Sequence, residues 1–372
     1  VRLRKALLAL LAPVTAILFS ILVASLALWL VGRNPLVAFG AMWDFARTST
    51  SVASMINRAV PLYLSAVAVA IGFHMGLFNI GVEGQYQVAA LFAGWVGGNI
   101  VLAAPLHLLV IIAVAVLVGM IWSGIAGLLK VTRGVHEVIS TIMLNFIGFS
   151  LIAFLLRNWF RDDPERLNLQ TPTLPASAHL PDLNGIFRIL GFSEPRGIPL
   201  HGFAVFAVVV GVAYYLLVWR MRFGYELRAS GLNPGAARMA GVDPNRMIMR
   251  TMLISGGVAG LVGLAGLFGN LQSYTQDFPR ELGFTGIAVA LLGRNHPVGM
   301  ALGALLFGFM DRSALILDLQ DTPKEVVKIM QGVVVLAVVI AYEVVNRMIE
   351  RREIKAAAEA TREAAAEVEV AA

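Results

Sequence analysis

Long apolar runs separated by short polar stretches recur along the chain, and several approach the ~20 residues that a helix needs to cross a bilayer. The first run, Ala6 to Gly32, follows Arg2, Arg4 and Lys5. It is well beyond the ~7–15 residues of a signal-peptide core, so a retained span with a cytoplasmic N-terminus is expected. Pro13 should kink this span or mark an early break. Gly40–Asn57, with Trp43 and Asp44, reads as a mildly amphipathic segment at the outer interface. The second span is expected at Ala59–Phe73, with Pro61 in its first turn, and the third at Tyr86–Ala103. Pro105 and His107 mark a tight outer turn before Leu108–Leu129, and Lys130 and Arg133 then fall inside. Further spans are expected at Val135–Leu156, Phe203–Trp219 and Thr251–Gly269. A last one, Val326–Val345, ends at Arg347, Arg351, Arg352 and Lys355, which puts the C-terminus inside.

Two interruptions break this pattern. Gly76–Gln87, reading GLFNIGVEGQYQ, carries Asn79, Glu83, Gln85 and three glycines at membrane depth. In the second half, Phe284–Leu292 is too short to cross alone, and the sequence GRNHPVG (Gly293–Gly299) separates it from a further apolar run, Met300–Met310. Irregular backbone inside a membrane is tolerated only where it is buried in protein or lines a wet cavity. Interrupted segments in corresponding positions of two halves point to a transporter's midplane site. The expected fold is therefore an all-α polytopic membrane protein of about ten transmembrane segments, some broken or short. The two breaks are compatible with two inverted repeats, although internal sequence similarity is too weak to establish them. Residues 1–346 form the expected transmembrane domain, with 1–32 as an extra N-terminal span. Within it, 157–202 is an extracytoplasmic loop and 220–250 a cytoplasmic loop, and 347–372 form a charged cytoplasmic tail.

Composition agrees. Of 372 residues, 58% are hydrophobic and 14% charged, whereas soluble domains run near ~25% charged. There is no cysteine, which excludes disulfides and thiolate metal sites. The net charge of +6 is compatible with nucleic acid, but cytoplasmic Lys and Arg in membrane loops account for it better, so no nucleic-acid partner is expected.

Polar residues inside the spans are the candidate chemistry. Asn79 and Gln85 offer donors and acceptors, and an ionised Glu83 offers acceptors. They could contact a substrate or satisfy backbone where the helix breaks; with Phe78 they are candidates for lining a pathway. Glu137, Thr141 and Asn145 are spaced by four and share one helical face, with Ser140 beside them. Glu137 could pair with Arg133 or cap the helix N-terminus. Thr141 and Asn145 join the pathway candidates, while Glu137, Arg294 and Asn295 are candidate gate or structural groups. The glycines of Thr251–Gly269 should let helix backbones approach closely.

The loop Arg220–Arg250 holds six arginines. Within it Asn233–Ala240 reads as a short helix, with Asn233 as N-cap, Pro234 in the first turn and Gly241 as the stop. No phosphate-binding GxxxxGK[ST] loop, paired metal-ligand spacing or nucleophile elbow is present, so no enzyme activity and no bound cofactor or metal are expected.

Taken in order, GLFNIGVEGQ, HEVISTIMLNFI, LRASGLNPGAARMAGVD and GIAVALLGRNHPVG resemble the permease subunits of bacterial ABC importers. The nearest subgroup takes up nucleosides or simple sugars and is related to the ribose and branched-chain amino acid permeases. The resemblance covers about residues 60–345. It implies a second permease subunit, expected to be a different chain, two ATP-binding subunits carrying ATP and Mg, an extracytoplasmic solute-binding protein and a place in the cytoplasmic (inner) membrane. It also implies that Gly231–Gly241 is the coupling helix, with Arg228, Gly231, Asn233, Ala236, Ala237, Arg238 and Gly241 docking on the ATPase. The expected function is alternating-access import of a small neutral solute, foremost a nucleoside. A sugar or branched-chain amino acid permease, and a gradient-driven secondary transporter, are the alternatives.

Overall fold

The computed structural model describes residues 21–26, 28–30, 32–163, 165, 168–318, 325–338, 340, 344 and 347. The chain divides into two compact units, residues 43–313 and residues 1–42 with 314–372. Helical residues Ile21–Leu30 of the second unit meet α1 (Pro35–Ala46) at a bend of 115°, next to Gly32 at φ +76°; α1 starts in that unit and its residues from Trp43 onward, Phe45 among them, belong to the 43–313 unit. The expected break at Pro13 and the charged tail after residue 347 lie outside the described residues, as do parts of the first and last expected spans.

The 43–313 unit is built from α2 (Ser49–His74), α3 (Val82–Asn99), α4 (Ala104–Arg133), α5 (Glu137–Asn158), α6 (Gly185–Ile189), α7 (Phe203–Tyr215), α8 (Arg222–Leu232), α9 (Pro234–Met239), α10 (Pro244–Val262), α11 (Leu282–Leu292) and α12 (Pro297–Asp318), whose last residues run beyond it. No strand occurs among the described residues, only isolated bridges pairing Gln170 with Thr275 and Asp182 with His201. Among the described residues, six helices are long and apolar enough to cross a membrane: α2, α4, α5, α7 with its continuation to Arg220, α10 with its continuation to Leu271, and α12 to Leu317. The chain is a multi-pass helical membrane protein. The remaining expected segments are α3, which carries Glu83, Gln85 and Gln87, the 11-residue α11, and the two terminal runs.

Several expected boundaries move. The segment expected to lie at the interface, Gly40–Asn57, is divided between α1 and α2, because Thr48 accepts a hydrogen bond from the Ser51 amide at 3.2 Å and starts α2 there. Pro61 consequently sits inside α2 instead of in its first turn. Pro105 occupies the first turn of α4, and His107 is a buried helical residue bonded to Ser177 Oγ (2.8 Å) and Gly97 O (2.9 Å), so the expected outer turn at these residues is helix. The run expected at Met300–Met310 is the middle of α12, whose helix continues through Asp311 and Arg312 although the apolar sequence stops.

Packing supports the small-residue reading of the seventh span. A Cβ on Gly119 of α4 would lie 2.2 Å from the Gly256 carbonyl, and one on Gly260 of α10 would lie 2.1 Å from the Ala115 carbonyl. These helices meet backbone to backbone, as expected where the solvent is as apolar as the side chains. Around that contact, α2 is buried without exception from Leu64 to Gly72, and α3 is buried from Val82 to Leu91. Enclosure by protein is what allows α3 to carry its polar residues.

Candidate functional site at a broken helix

The break between α2 and α3 has a local cause. Gly76 adopts φ +73°, a conformation that glycine takes without strain. Its amide bonds the Phe73 carbonyl at 3.0 Å, and the Leu77 amide bonds the Gly72 carbonyl at 3.0 Å. This pair of bonds is the Schellman pattern that ends helices. The chain then runs irregularly to Gly81 before α3 begins.

Asn79 and Gln85 close this gap. The Asn79 side-chain amide donates to Gln85 Oε1 at 3.1 Å, and Gln85 Nε2 donates to Asn79 Oδ1 at 2.9 Å. Asn79 Oδ1 also accepts from the Gly81 amide at 3.1 Å, and its Nδ2 reaches Ser255 Oγ on α10 at 2.9 Å. Ser255 in turn donates to the Ala68 carbonyl at 2.7 Å. Both amides are buried and bonded by protein, so they tie the break to α2, α3 and α10.

Glu83 links the two broken regions of the chain. Its Oε1 accepts from Tyr86 Oη at 2.9 Å and the Glu281 amide at 2.8 Å, and its Oε2 accepts from the Gly283 amide at 2.8 Å. The last two donors start α11, so the carboxylate sits where that helix presents free N–H groups. A Cβ on Gly283 would lie 2.5 Å from the Glu83 nitrogen, so glycine is needed for the approach. Gln87 Nε2 donates to the Pro279 carbonyl at 2.8 Å, the Tyr86 hydroxyl proton is shared between that carbonyl (2.8 Å) and Glu83, and Tyr274 Oη donates to Gln87 Oε1 at 2.7 Å. The segment Tyr274–Gly283 is thereby fixed against the polar face of α3.

The α5 stripe packs on the same break. Asn145 Oδ1 accepts from the Gly84 amide at 2.9 Å, and Asn145 Nδ2 donates to the Ile80 carbonyl at 3.1 Å. Glu137 accepts from the Phe78 amide at 3.3 Å and pairs with Lys130, not with Arg133, while His136 supplies the N-cap. Thr141 Oγ1 bonds its own helix at the Glu137 carbonyl (2.7 Å), and its Cβ side faces Gly81. Phe78 is partly exposed, with its ring centroid 4.9 Å from that of Phe73. Phe78, Asn79, Glu83, Gln85, Glu137, Thr141 and Asn145 therefore form one connected region.

Arg294 and Asn295 lie elsewhere, at the turn joining α11 to α12, with φ +53° and +57°. The Asn295 carbonyl accepts from Tyr214 Oη at 2.6 Å, and Tyr214 Oη lies 3.1 Å from His74 Nε2 at the end of α2. The turn is thus joined to the end of α2 rather than to the Glu83 group.

The short capped helix of the 220–250 loop forms as the sequence indicates. Asn233 Oδ1 accepts from the Ala236 amide at 3.0 Å, α9 runs from Pro234 to Met239, and Gly241 takes φ +81°. Arg228, on the preceding α8, donates to the Val218 carbonyl, and Arg238 is exposed. A Cβ on Gly231 would lie 2.4 Å from the His74 carbonyl and 2.9 Å from Met75 Cα, so the end of α8 rests directly on the end of α2. Ala237 is buried, whereas Ala236 is exposed. Leu232 and Met239, 88% and 91% exposed, flank α9 as apolar side chains without protein cover. Sequence reasoning passed over both, as it did Ser255, Tyr86, Gln87, Tyr274 and Lys130. Tyr86 and Gln87 stood within the polar stretch, Leu232 and Met239 within the Arg220–Arg250 loop and Lys130 seven residues before Glu137, whereas Ser255 and Tyr274 are distant in sequence.

The chain matches the family model for the permease component of branched-chain amino acid transport systems over residues 51–339. It is similar to the guanosine ABC transporter permease protein NupP of Bacillus subtilis, with 34% identity covering 90% of this chain and 94% of the relative. The nucleoside ABC transporter permease protein NupB of Lactococcus lactis is 29% identical over 95% of this chain and 96% of its own length. The glucose ABC transporter permease protein TsgB13 of Haloferax volcanii is 33% identical over 87% and 85%. No solved structure matches the chain. With the match extending from the start of α2 to the last described helix, the chain belongs to this family of transport-system permease components.

Proposed function

We propose that the chain is the permease subunit of an ATP-driven importer and carries a nucleoside across the bacterial cytoplasmic membrane by alternating access. The observation that carries the reading is the contact of Gly231 with His74 and Met75. It joins the coupling segment, Gly231–Gly241, to the helix end from which the polar break begins. ATP binding would close two separate ATP-binding subunits, shift α9, and move the broken α2–α3 region. Arg228, Asn233, Ala236, Ala237, Arg238 and Gly241 shape or present this segment, and the exposed Leu232 and Met239 supply its apolar contacts.

Nucleosides are the preferred cargo because relatives named for guanosine and nucleosides match nearly the whole chain; a glucose permease at similar identity keeps sugars as the second choice. The remaining parts of the proposal are a second permease chain, an extracytoplasmic solute-binding protein, cytoplasmic termini and about ten membrane segments arranged as two repeats. Phe78, Asn79, Glu83, Gln85, Thr141 and Asn145 border the pathway in this reading, with Glu137, Arg294 and Asn295 at its gate. ATP and Mg are held by the partner subunits.

Affinity purification of the tagged chain from its native membrane tests the assembly. Recovery of an ATP-binding subunit in fixed stoichiometry is expected. Gradient-driven flux by the chain alone in liposomes would overturn the proposal in favour of a secondary transporter.

A further inference from the structure

A cavity of about 350 Å³ opens within the 43–313 unit, between the N-terminal half of α2, the His201 end of the long loop, the turn after α10, the approach to α11 and the second half of α12. It lies toward the end of α2 opposite the Gly231 contact. Its charged and titratable lining is Arg58, His201, Asp311 and Arg312, joined by the polar Ser54, Asn57 and Asn270, and one wall is the buried ring of Phe278. None of these residues belongs to the polar group around the break.

Three features make this a built site. The Arg312 guanidinium stands 4.7 Å from the Phe45 ring centroid, which fixes the side chain by a cation–π contact. Its Nε is nevertheless buried with no hydrogen-bond partner. A buried donor left unmade costs about 1–3 kcal/mol, which an acceptor on a bound solute would recover. The Phe278 ring is stacked on Tyr274 at 4.6 Å with an interplanar angle of 18°. Tyr274 and Pro279 are both held by the α3 side chains Tyr86 and Gln87, so the flat wall is braced by the same network that shapes the break. The volume falls within the range of ~300–1,000 Å³ typical of small-molecule sites.

We infer that this cavity is the outward resting site of the transported nucleoside, with the base against Phe278 and acceptor oxygens or ring nitrogens toward Arg312. Two guanidinium groups beside one carboxylate favour a solute rich in acceptors, and the aromatic wall favours one with a planar ring. The inference rests on the proposed function and adds to it a place and a set of contacts. The polar groups of the break then serve to position the wall of the site and to connect it to the coupling segment.

Two measurements test it. The chain has no cysteine, so Asn270→Cys at the cavity mouth provides a single thiol in the full assembly. Guanosine or uridine should slow its labelling by a membrane-impermeant maleimide at least threefold, while Val101→Cys, exposed in the loop between α3 and α4, stays unchanged. In uptake by the complete transporter, Arg312→Gln and Phe278→Ala should raise KM about tenfold or more in an assembly still recovered with its ATP-binding subunits, and Arg312→Lys should recover part of the loss. Unprotected Asn270→Cys, or an unchanged KM in folded Arg312→Gln and Phe278→Ala, would overturn the site while wild-type nucleoside uptake still upheld the function. Stronger protection by a nucleoside monophosphate than by the nucleoside would overturn the neutral-solute assignment. Failure of the wild-type assembly to take up any nucleoside would overturn the proposed function itself.

Discussion

Asn79 and Gln85 form a closed amide pair in which each side chain donates to the other, at 3.1 and 2.9 Å. Both are buried, and the pair stands at the gap between two helices that would otherwise expose backbone groups to an apolar surrounding. Truncating Asn79 leaves the Gln85 amide without this pairing, and truncating Gln85 leaves Asn79 with only Gly81 and Ser255. Asn79→Ala or Gln85→Ala should each cost about 1–3 kcal/mol. The double variant should cost less than the sum, because the surviving partner is gone as well. Thermal unfolding of the purified protein, arranged as a double-mutant cycle, checks this; strictly additive losses would contradict the pairing.

Glu83 accepts one side-chain and two backbone hydrogen bonds, and every partner is a donor. Glutamine at this position would turn an NH2 group toward at least one of them. Glu83→Gln should therefore destabilise the protein by about 1.5–3 kcal/mol, the range for hydrogen bonds to a charged group, and loosen the Tyr274–Gly283 segment. Limited proteolysis at that segment, compared with the wild type, reads the loosening directly.

How much of this was legible in the sequence follows from where the partners lie. The break itself was legible, because glycines and polar residues within an apolar run have one physical reading at membrane depth. The α9 cap was legible too: Asn233, Pro234 and Gly241 act on neighbours within a few residues. Thr48 is equally local, but the Pro61 rule for helix starts outweighed it and displaced the start of α2. What could not be read was pairing across the chain. Ser255 and Gly283 are distant from the stretch they complete, and Lys130 lies across a tight turn from Glu137, where Arg133 was an equal candidate. The cavity at Arg312 draws on five separated segments, none with a motif of its own.

Leu232 and Met239 are the most exposed large apolar side chains beside α9. Replacing both with aspartate should leave the local helix intact, since neither packs on the protein, but should uncouple transport from ATP hydrolysis. Ala236, also exposed, should respond to a bulky charged substitution in the same way, whereas Ala237 is buried and would damage the fold instead. Solute-stimulated ATPase activity of the assembled transporter is the readout, and normal stimulation in the Leu232→Asp/Met239→Asp variant would contradict the docking assignment.

Burial lowers the pKa of His201 below its ordinary value of 6.5, against the opposing pull of Asp182 and of a hydrogen bond that the ring donates to the Asn270 side chain. The unfolded chain then takes up a proton at a higher pH than the folded one. Stability is complete above about 6.5 and falls as the pH drops below it, until the folded state also protonates. Unfolding midpoints at pH 7.5 and 5.0 should show this loss in the wild type and a smaller one in His201→Gln.

The central claim is that ATP binding elsewhere drives nucleoside movement through this chain by way of the Gly231 contact with the end of α2. The direct measurement is uptake of labelled guanosine into proteoliposomes holding the complete transporter, with and without ATP, for the wild type and Gly231→Val. The account predicts uptake that requires ATP and is reduced at least tenfold by Gly231→Val in an assembly that still binds its ATPase subunits. Guanosine uptake that proceeds without ATP, or that Gly231→Val leaves unchanged, would contradict it.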